Sequence, residues 1–449
     1  MRFTRQRPDR HVTRVLVAAF FVATGGMGAS CSSSDRDGLE STPNAEPMDA
    51  GPEAASSDGG SLDARPYREA GTVDAGPLPI ACTSNPCAVS LVTTLGVDAD
   101  DRSEGFCALV DDGTVACWGA NGAGQLGRGD DAGIVDSAYA ARVIDLPRVT
   151  SLDHTCAIDE AGAVWCWGTG PFHRSDAHGV TTERTPVKLD LPPATKVGVG
   201  YATACATVQD GVLCWGSGTD GQLGPNAASA DGGAPSSIPL PSGAPVQALA
   251  VGKAIFALRE DGALVTWGGN PPIGRLSPMF PDPSPDNIDV ADVVSVDLAY
   301  DNACATAGGT GYCWGAPLPG SKSPIDRALP EPVVTPEPIV QIATTRNHVI
   351  ENIGPKRYRW CASSVSGDVY CWGLNESGQA GDGTVDYAFD AVKVQGLPAP
   401  AARVRTTLNT TCALLTTGKV YCWGGNYNGQ LGNGDNRGRA LIPVEVVLP

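Results

Sequence analysis

The sequence predicts an all-β fold: a seven-bladed β-propeller of four-stranded blades, its ring closed by the C-terminal strand. Three observations carry that expectation. Gly (56) and Pro (36) make up a fifth of the 449 residues, while charged residues reach only 18%. Such a composition favours many short strands joined by tight turns over helices. One short phrase occurs seven times along the chain, and periods approaching about 50 residues belong to propellers, solenoids or arrays. Each copy of the phrase, finally, reads as a β-hairpin.

The chain divides into residues 1–30, 31–80 and 81–449. The first part has a basic start (Arg2, Arg5, Arg7, Arg10, Arg14), an apolar run from Val15 to Ala23 and small residues up to Ser30. The apolar run is too short to span a bilayer and has the layout of an export signal. Small residues directly before Cys31 resemble the lipobox of bacterial lipoproteins, although Gly28 stands where that family usually has Leu. The resemblance implies lipidation of Cys31 and, with Ser32 following it, an outer-membrane anchor. An ordinary secretory signal cleaved near Ala29 or Ser30 is the alternative, and would leave the protein periplasmic or extracellular.

Residues 31–80 are Ser, Gly, Pro, Ala and acid. Residues 32–78 hold ten carboxylates and three arginines. A segment with so few bulky apolar residues cannot offset its ordering entropy, and it reads as a disordered tether.

From residue 81 the chain is repetitive. "CALVDDGTVACWG" (107–119) returns as "CAIDEAGAVWCWG" (156–168), "CATVQDGVLCWG" (205–216), "FALREDGALVTWG" (256–268), "CATAGGTGYCWG" (304–315), "CASSVSGDVYCWG" (361–373) and "CALLTTGKVYCWG" (412–424). The repeated Trp recurs at intervals of 47 to 58 residues, and several copies continue into a tail such as "ANGAGQLGRG" (120–129). In the first copy, a three-residue loop ending in Gly113 fits a type I turn with a left-handed third residue. Counting back from that turn sets Leu109 opposite Val115, Ala108 opposite Ala116 and Cys107 opposite Cys117.

The same count brings together Cys156 and Cys166, Cys361 and Cys371, and Cys412 and Cys422, and shorter loops do so for Cys205 and Cys214 and for Cys304 and Cys313. The fourth copy has Phe256 and Thr266 at these two positions, so both cysteines are lost together. Disulfide partners disappear as pairs, whereas free thiols need not. Cys82 and Cys87 in "CTSNPC" make a seventh pair, and of the fifteen cysteines Cys31 remains for lipid. Zinc is disfavoured because no CxxC occurs. Disulfides also agree with an exported, oxidising location.

One four-stranded unit cannot cover both of its faces, and stacking seven around a ring does so. The Trp-Gly pair then reads as a large ring wedged between blades, with Gly admitting close backbone approach. A stretch led by proline, such as "TPVKLDLP" (185–192), precedes most copies but not the first. The last such stretch, Pro443 to Val447, is therefore expected to complete the first blade.

The phrases "HTCAIDEAGAVWCWG" (154–168) and "CALLTTGKVYCWGGNYNGQLGNG" (412–434) resemble the repeats of the regulator of chromosome condensation family. The likeness covers about residues 88–449 and implies a seven-bladed propeller. Units two ("TGPFHRSD", 169–176) and five ("APLPGSKS", 316–323) lose the NxxGQLG tail. The family's founding activity is nucleotide exchange on a nuclear GTPase at chromatin, but none of its exchange residues maps onto this chain. The fold also resembles the propeller-type β-lactamase inhibitors; with only 6% aromatic residues, inhibition is not implied.

Other signals are weak. "GAGQLG" (122–127) matches GxGxxG but has no helix behind it. "DADDRSE" (98–104) has calcium-loop acidity without the required glycine. His154, His173, His178 and His348 show no ligand spacing, and no metal or cofactor is expected. Asp111, Asp112, Asp210 and Asp261 are hairpin-loop acids.

A net charge of −18 speaks against nucleic acid, which needs a basic stripe. One segment departs from the acidic background: "TRNHVIENIGPKRYRW" (345–360), with Lys356, Arg357, Tyr358 and Arg359. Arg and aromatic residues are enriched where partners anchor, which makes these four a candidate contact. An outward loop whose charges simply stay wet is the plainer alternative.

The sequence thus points to a monomeric, surface-tethered binding scaffold for protein or glycan, without catalysis and touching the membrane only through its lipid. An exchange-like regulator or a hydrolase working in the central cleft is the alternative.

Overall fold

A computed structural model describes residues 76–449, apart from 97–102, 130–132, 134, 173–178, 228–233, 316–326, 346–348, 351–353 and 356–358. The expected signal, Cys31 and nearly all of the acidic tether lie outside the described residues. Among the described residues, seven four-stranded antiparallel sheets follow one another as blades of a propeller. They span 88–142, 149–188, 194–238, 246–287, 293–333, 339–393 and 401–445. A two-stranded ribbon, Val349–Ile350 paired with Gly354–Pro355, is added within blade 6.

Burial explains why each strand has its composition. The second strand of blade 1, Gly105–Val110, is buried at every residue, because neighbouring blades cover both of its faces. A strand in that position must be apolar or small throughout. The fourth strand of blade 2, Thr181–Lys188, lies at the rim and is buried only at Pro186. Proline is tolerated there because an edge strand leaves one row of N–H groups unused. Hence the recurrent proline at Pro186, Pro285 and Pro443.

The hairpins form with the expected register. Cys107 faces Cys117, Ala108 faces Ala116 and Leu109 faces Val115, with Gly113 at φ 82° in the turn. In blade 4 the same position pairs Phe256 with Thr266. The first strands of successive blades contact one another and ring the axis. Each first strand is bulged near its start, from Ala88/Ser90 in blade 1 to Ala401/Arg403 in blade 7.

The closure differs from the expectation. The C-terminal strand Arg439–Glu445 pairs with Val420–Gly425 of its own blade, and blade 1 completes itself with Ser137–Arg142. The proline-led strand therefore ends a unit instead of opening the next. Blade 1 has Ala140 where most of its sisters have proline (blade 6 has Ala391), which hid its fourth strand in the sequence.

Blades 1 and 7 instead meet face to face. Leu91, Phe106 and Trp118 pack with Leu414, Val420, Leu431 and Val446 in one apolar cluster. The chain leading into blade 1 adds backbone hydrogen bonds, Ala81 N–H to the Thr416 carbonyl (2.7 Å) and Ala88 N–H to that of Gly418 (2.9 Å). Glu104 accepts from the Thr407 hydroxyl (2.6 Å) and from Asn409 N–H (2.9 Å) across the same seam.

Candidate partner-binding face

The repeated motif is absorbed by blade-to-blade packing. Trp118, Trp167, Trp215, Trp267, Trp314 and Trp423 are fully buried. The indole N–H of each donates to a backbone carbonyl in the preceding unit's tail: Gln430 (2.9 Å), Gln125 (3.0 Å), Pro171 (2.6 Å), Gln222 (2.8 Å), Pro272 (2.7 Å) and Gln379 (2.9 Å) respectively.

The tails brace themselves to present that carbonyl. In blade 7, Gln430 Oε1 accepts from Asn428 N–H and Asn426 Oδ1 from Leu431 N–H. The Gly after Trp is required as well. Gly119 sits at φ 100°, and a Cβ there would lie 2.6 Å from the Glu104 carbonyl oxygen. Asn, Gln, Trp and Gly of the repeat are thus committed to structure. Sequence reading expected the Trp wedge but missed the clasp between tail and indole.

Function must then lie where blades differ. Antiparallel order puts the loops between strands one and two, and between strands three and four, at one end of every blade. That end carries the irregular segments, including the blade 6 insertion. Among them the blade 4 loop, 269–281, is firmly built. Ile273 is buried beneath it, and its carbonyl accepts from Thr266 Oγ1 (2.6 Å). Arg275 donates to Asp282 (2.7 Å) and to the Ser284 carbonyl (2.7 Å), while Asn270 Nδ2 donates to the Met279 carbonyl (2.9 Å).

Burial pushes the Asp282 carboxyl up, but donors from Ser277, Ser284 and Arg275 together hold it below the ordinary range. Clamped in this way, the loop exposes Leu276 (74%), Phe280 (59%) and Met279 (46%) to solvent. Three large apolar side chains on a braced loop lose little conformational freedom on docking, the arrangement expected of an interaction anchor. The sequence reading did not single them out. The available signal was bulky apolar residues and prolines where sister tails carry Gly and acids.

A second apolar stretch follows the rim of blades 6, 7 and 1. Phe389 (79% exposed) lies against Tyr387 with ring centroids 4.7 Å apart, and Tyr427 and Tyr139 are also exposed.

The structure places the nominated residues as follows. Cys82–Cys87, Cys107–Cys117, Cys156–Cys166, Cys205–Cys214, Cys304–Cys313, Cys361–Cys371 and Cys412–Cys422 are disulfide-bonded. Lys356, Arg357 and Tyr358 lie outside the described residues. Arg359 is corrected as a partner contact, being 1% exposed. Its guanidinium donates to the carbonyls of Gln379, Thr407 and Thr410 and to the Thr411 hydroxyl, tying blade 6 to blade 7. A guanidinium can be buried when its donors are met by such acceptors.

His154 stands in the turn before Cys156, with Nδ1 3.2 Å from an Asp153 carboxylate oxygen. Cys82, Cys87 and Asp111 bring metal-type atoms within 4.8 Å of one another, but the two sulfurs are bonded together and are poor ligands in that form.

Comparison with known proteins agrees with this architecture. Residues 407–430 match the model of the regulator of chromosome condensation (RCC1) repeat. The ultraviolet-B receptor UVR8 of Arabidopsis thaliana is 27% identical over 356 residues, covering 76% of this chain and 68% of the receptor. The human E3 ubiquitin-protein ligase HERC2 is 27% identical over 345 residues, 72% of this chain but only 7% of the ligase.

Among solved structures, human WBSCR16 superposes with TM-score 0.59 at 18% identity, covering 75% of this chain and 94% of that one. Prp20p of Saccharomyces cerevisiae, described with its binding properties to Gsp1p and histones, gives 0.58 at 18% identity, covering 79% and 87%.

Proposed function

Because the chain is an RCC1-like seven-bladed propeller, we propose that it is a non-catalytic protein-binding scaffold working through the loop end of its blades. Propellers of this type among the relatives bind proteins, as the solved Prp20p does with Gsp1p and histones. The observation that carries the reading here is the blade 4 loop, braced from beneath and exposing Leu276, Met279 and Phe280. Aliphatic and thioether side chains suit an apolar protein surface. A glycan would ask for flat rings flanked by polar groups, so protein is the favoured partner over glycan. Export and lipidation of Cys31 belong to the same proposal: the tether would hold the scaffold at the bacterial outer membrane and leave the loop end free.

The test compares wild type with an L276S/M279S/F280S variant, both shown to be folded by circular dichroism and melting. Partners crosslinked in envelope preparations are quantified by mass spectrometry. At least one protein should be enriched by wild type and lost with the variant. Equal recovery of every captured protein by both would sink the reading. Membrane fractionation of a Cys31→Ser variant tests the anchor separately.

A further inference from the structure

The hub of the propeller contains a charge arrangement that blade packing does not require. At or two residues past the bulge of the first strand, three blades use a side chain that serves the next blade. Asp153 of blade 2 accepts from Val199 N–H of blade 3 (2.9 Å), and Asp297 of blade 5 accepts from Thr344 N–H of blade 6 (2.7 Å). Gln341 of blade 6 both donates to the Val404 carbonyl (3.1 Å) and accepts from Val404 N–H (2.8 Å) in blade 7.

Blade 7 breaks the pattern. The positions matching Gln341 and Asp297 are Arg403 and Arg405, and a guanidinium only donates. Val404 packs with Ala343 and Cys361 of blade 6, so alternation along Ala401–Thr406 turns both arginines toward blade 1. Each is half-buried.

The strands packed against this one are Ile339–Thr344, Arg359–Ser364, Thr410–Leu415 and Ala88–Thr93, and none contains a carboxylate. Of the described acids at this seam, Glu104 is held beyond Thr407 by Thr407 and Asn409, and Asp136 accepts from Asn428 of the blade 7 tail. Arg405 has a contact of its own, whereas no described carboxylate pairs with Arg403. Burial and then the neighbouring Arg405 hold the Arg403 guanidinium below its ordinary value. Lys196 stands at the Arg403 position in blade 3, across the axis, and adds positive charge. Asp153 and Asp297 line the hub in blades 2 and 5, so the positive charge is local to the seam that holds Arg403 and Arg405.

We propose that the hub end of the blade 7–blade 1 seam binds a small molecule bearing oxyanion groups of the phosphate type, with Arg403 as the principal donor and Arg405 beside it. Guanidinium forks match the paired oxygens of such groups. An oxyanion there would relieve the repulsion between the two cations and draw the seam together.

Inorganic pyrophosphate is the probe, with citrate to separate phosphate from carboxylate chemistry and chloride at equal ionic strength as the control. Binding is read by titration calorimetry and by melting of the full chain. Wild type should bind pyrophosphate saturably and more tightly than citrate, and melt higher in its presence. Arg403→Gln should weaken binding at least about tenfold, the loss expected for a charged hydrogen bond. In buffer alone it should melt at or above wild type, because a repulsion has been removed. Arg403→Lys should retain intermediate affinity.

No saturable binding by wild type, or equal binding by Arg403→Gln, overturns the proposal. So does an Arg403→Gln protein that melts lower or fails to fold without ligand, since Arg403 would then be a structural brace. Tighter binding of citrate overturns the phosphate assignment.

Discussion

Trp118 and Gln430 stand 312 residues apart in the chain, yet the indole N–H of one donates to the carbonyl of the other at 2.9 Å. This contact repeats, between the ends of the ring, the clasp that joins consecutive blades. Closure thus needs no exchanged strand. The tail of the last unit grips the first unit's tryptophan, and the apolar faces beneath exclude water.

Substitution at Trp118 should separate the two parts of that clasp. Trp118→Phe keeps most of the ring and loses the hydrogen bond, costing about 0.5–1.5 kcal/mol plus some packing. Trp118→Ala also empties a fully buried site and should cost about 3–5 kcal/mol. Equilibrium denaturation provides the measurement; equal costs for both variants would refute the division.

Deletion of residues 439–449 tests strand ownership. The deletion strips the rim from blade 7, so amides of Val420–Gly425 should lose hydrogen-exchange protection. Amides of Val115–Gly119 in blade 1 should keep theirs, because Ser137–Arg142 still covers them. The reverse pattern would restore a shared first blade.

The hairpin disulfides should be replaceable by the solution blade 4 already uses. Changing Cys107 to Phe and Cys117 to Thr copies the Phe256–Thr266 pair. On the chain-entropy model, losing a ten-residue loop closure costs about 2–3 kcal/mol. The new aromatic packing should return part of it. Reduced and oxidised wild type should differ by more than the swapped protein does at that blade, as read by local exchange protection.

Acid should loosen the blade 4 loop. The folded carboxyl of Asp282 lies below its ordinary value. Its contribution is therefore fully present above the unfolded value of about 3.9 and is lost as pH falls through the folded value. Exchange protection of residues 273–284 should drop on moving from pH 6 to pH 3 in wild type. Asp282→Asn lacks the charge at both pH values, so its protection should be lower at pH 6 and change little with acid. An equal acid response in both proteins would remove Asp282 as the cause.

Much of the fold was legible because its determinants are local. Three loop residues ending in Gly113 set the turn, and counting from it placed Cys107 opposite Cys117. The joint loss of cysteine at Phe256 and Thr266 marked the same pairing from another direction. Phase was harder to read. A rim strand is recognised by proline and alternation, and Ala140 broke that signal in the very unit that would have set the frame.

The candidate site was less legible than the fold. Arg359 looked like surface charge among Lys356, Arg357 and Tyr358, but the carbonyls that receive it come from residues 20 to 51 positions away. Leu276, Met279 and Phe280 went unremarked, because exposure depends on what covers a residue and not on its type.

The sequence alone determined the repeat, its seven units, the hairpin register and the cysteine pairing, all consequences of short-range geometry and a strict period. Tertiary structure decided which strand closes which blade, that the GQLG tail grips the next unit's indole, and that Arg359 is interior. It also decided that Arg403 and Arg405 lie together at the hub facing blade 1. These depend on residues tens to hundreds of positions apart, brought together only when the faces of successive blades bury each other around the ring. Which groups meet there is set by the packing of those faces, which no local pattern encodes.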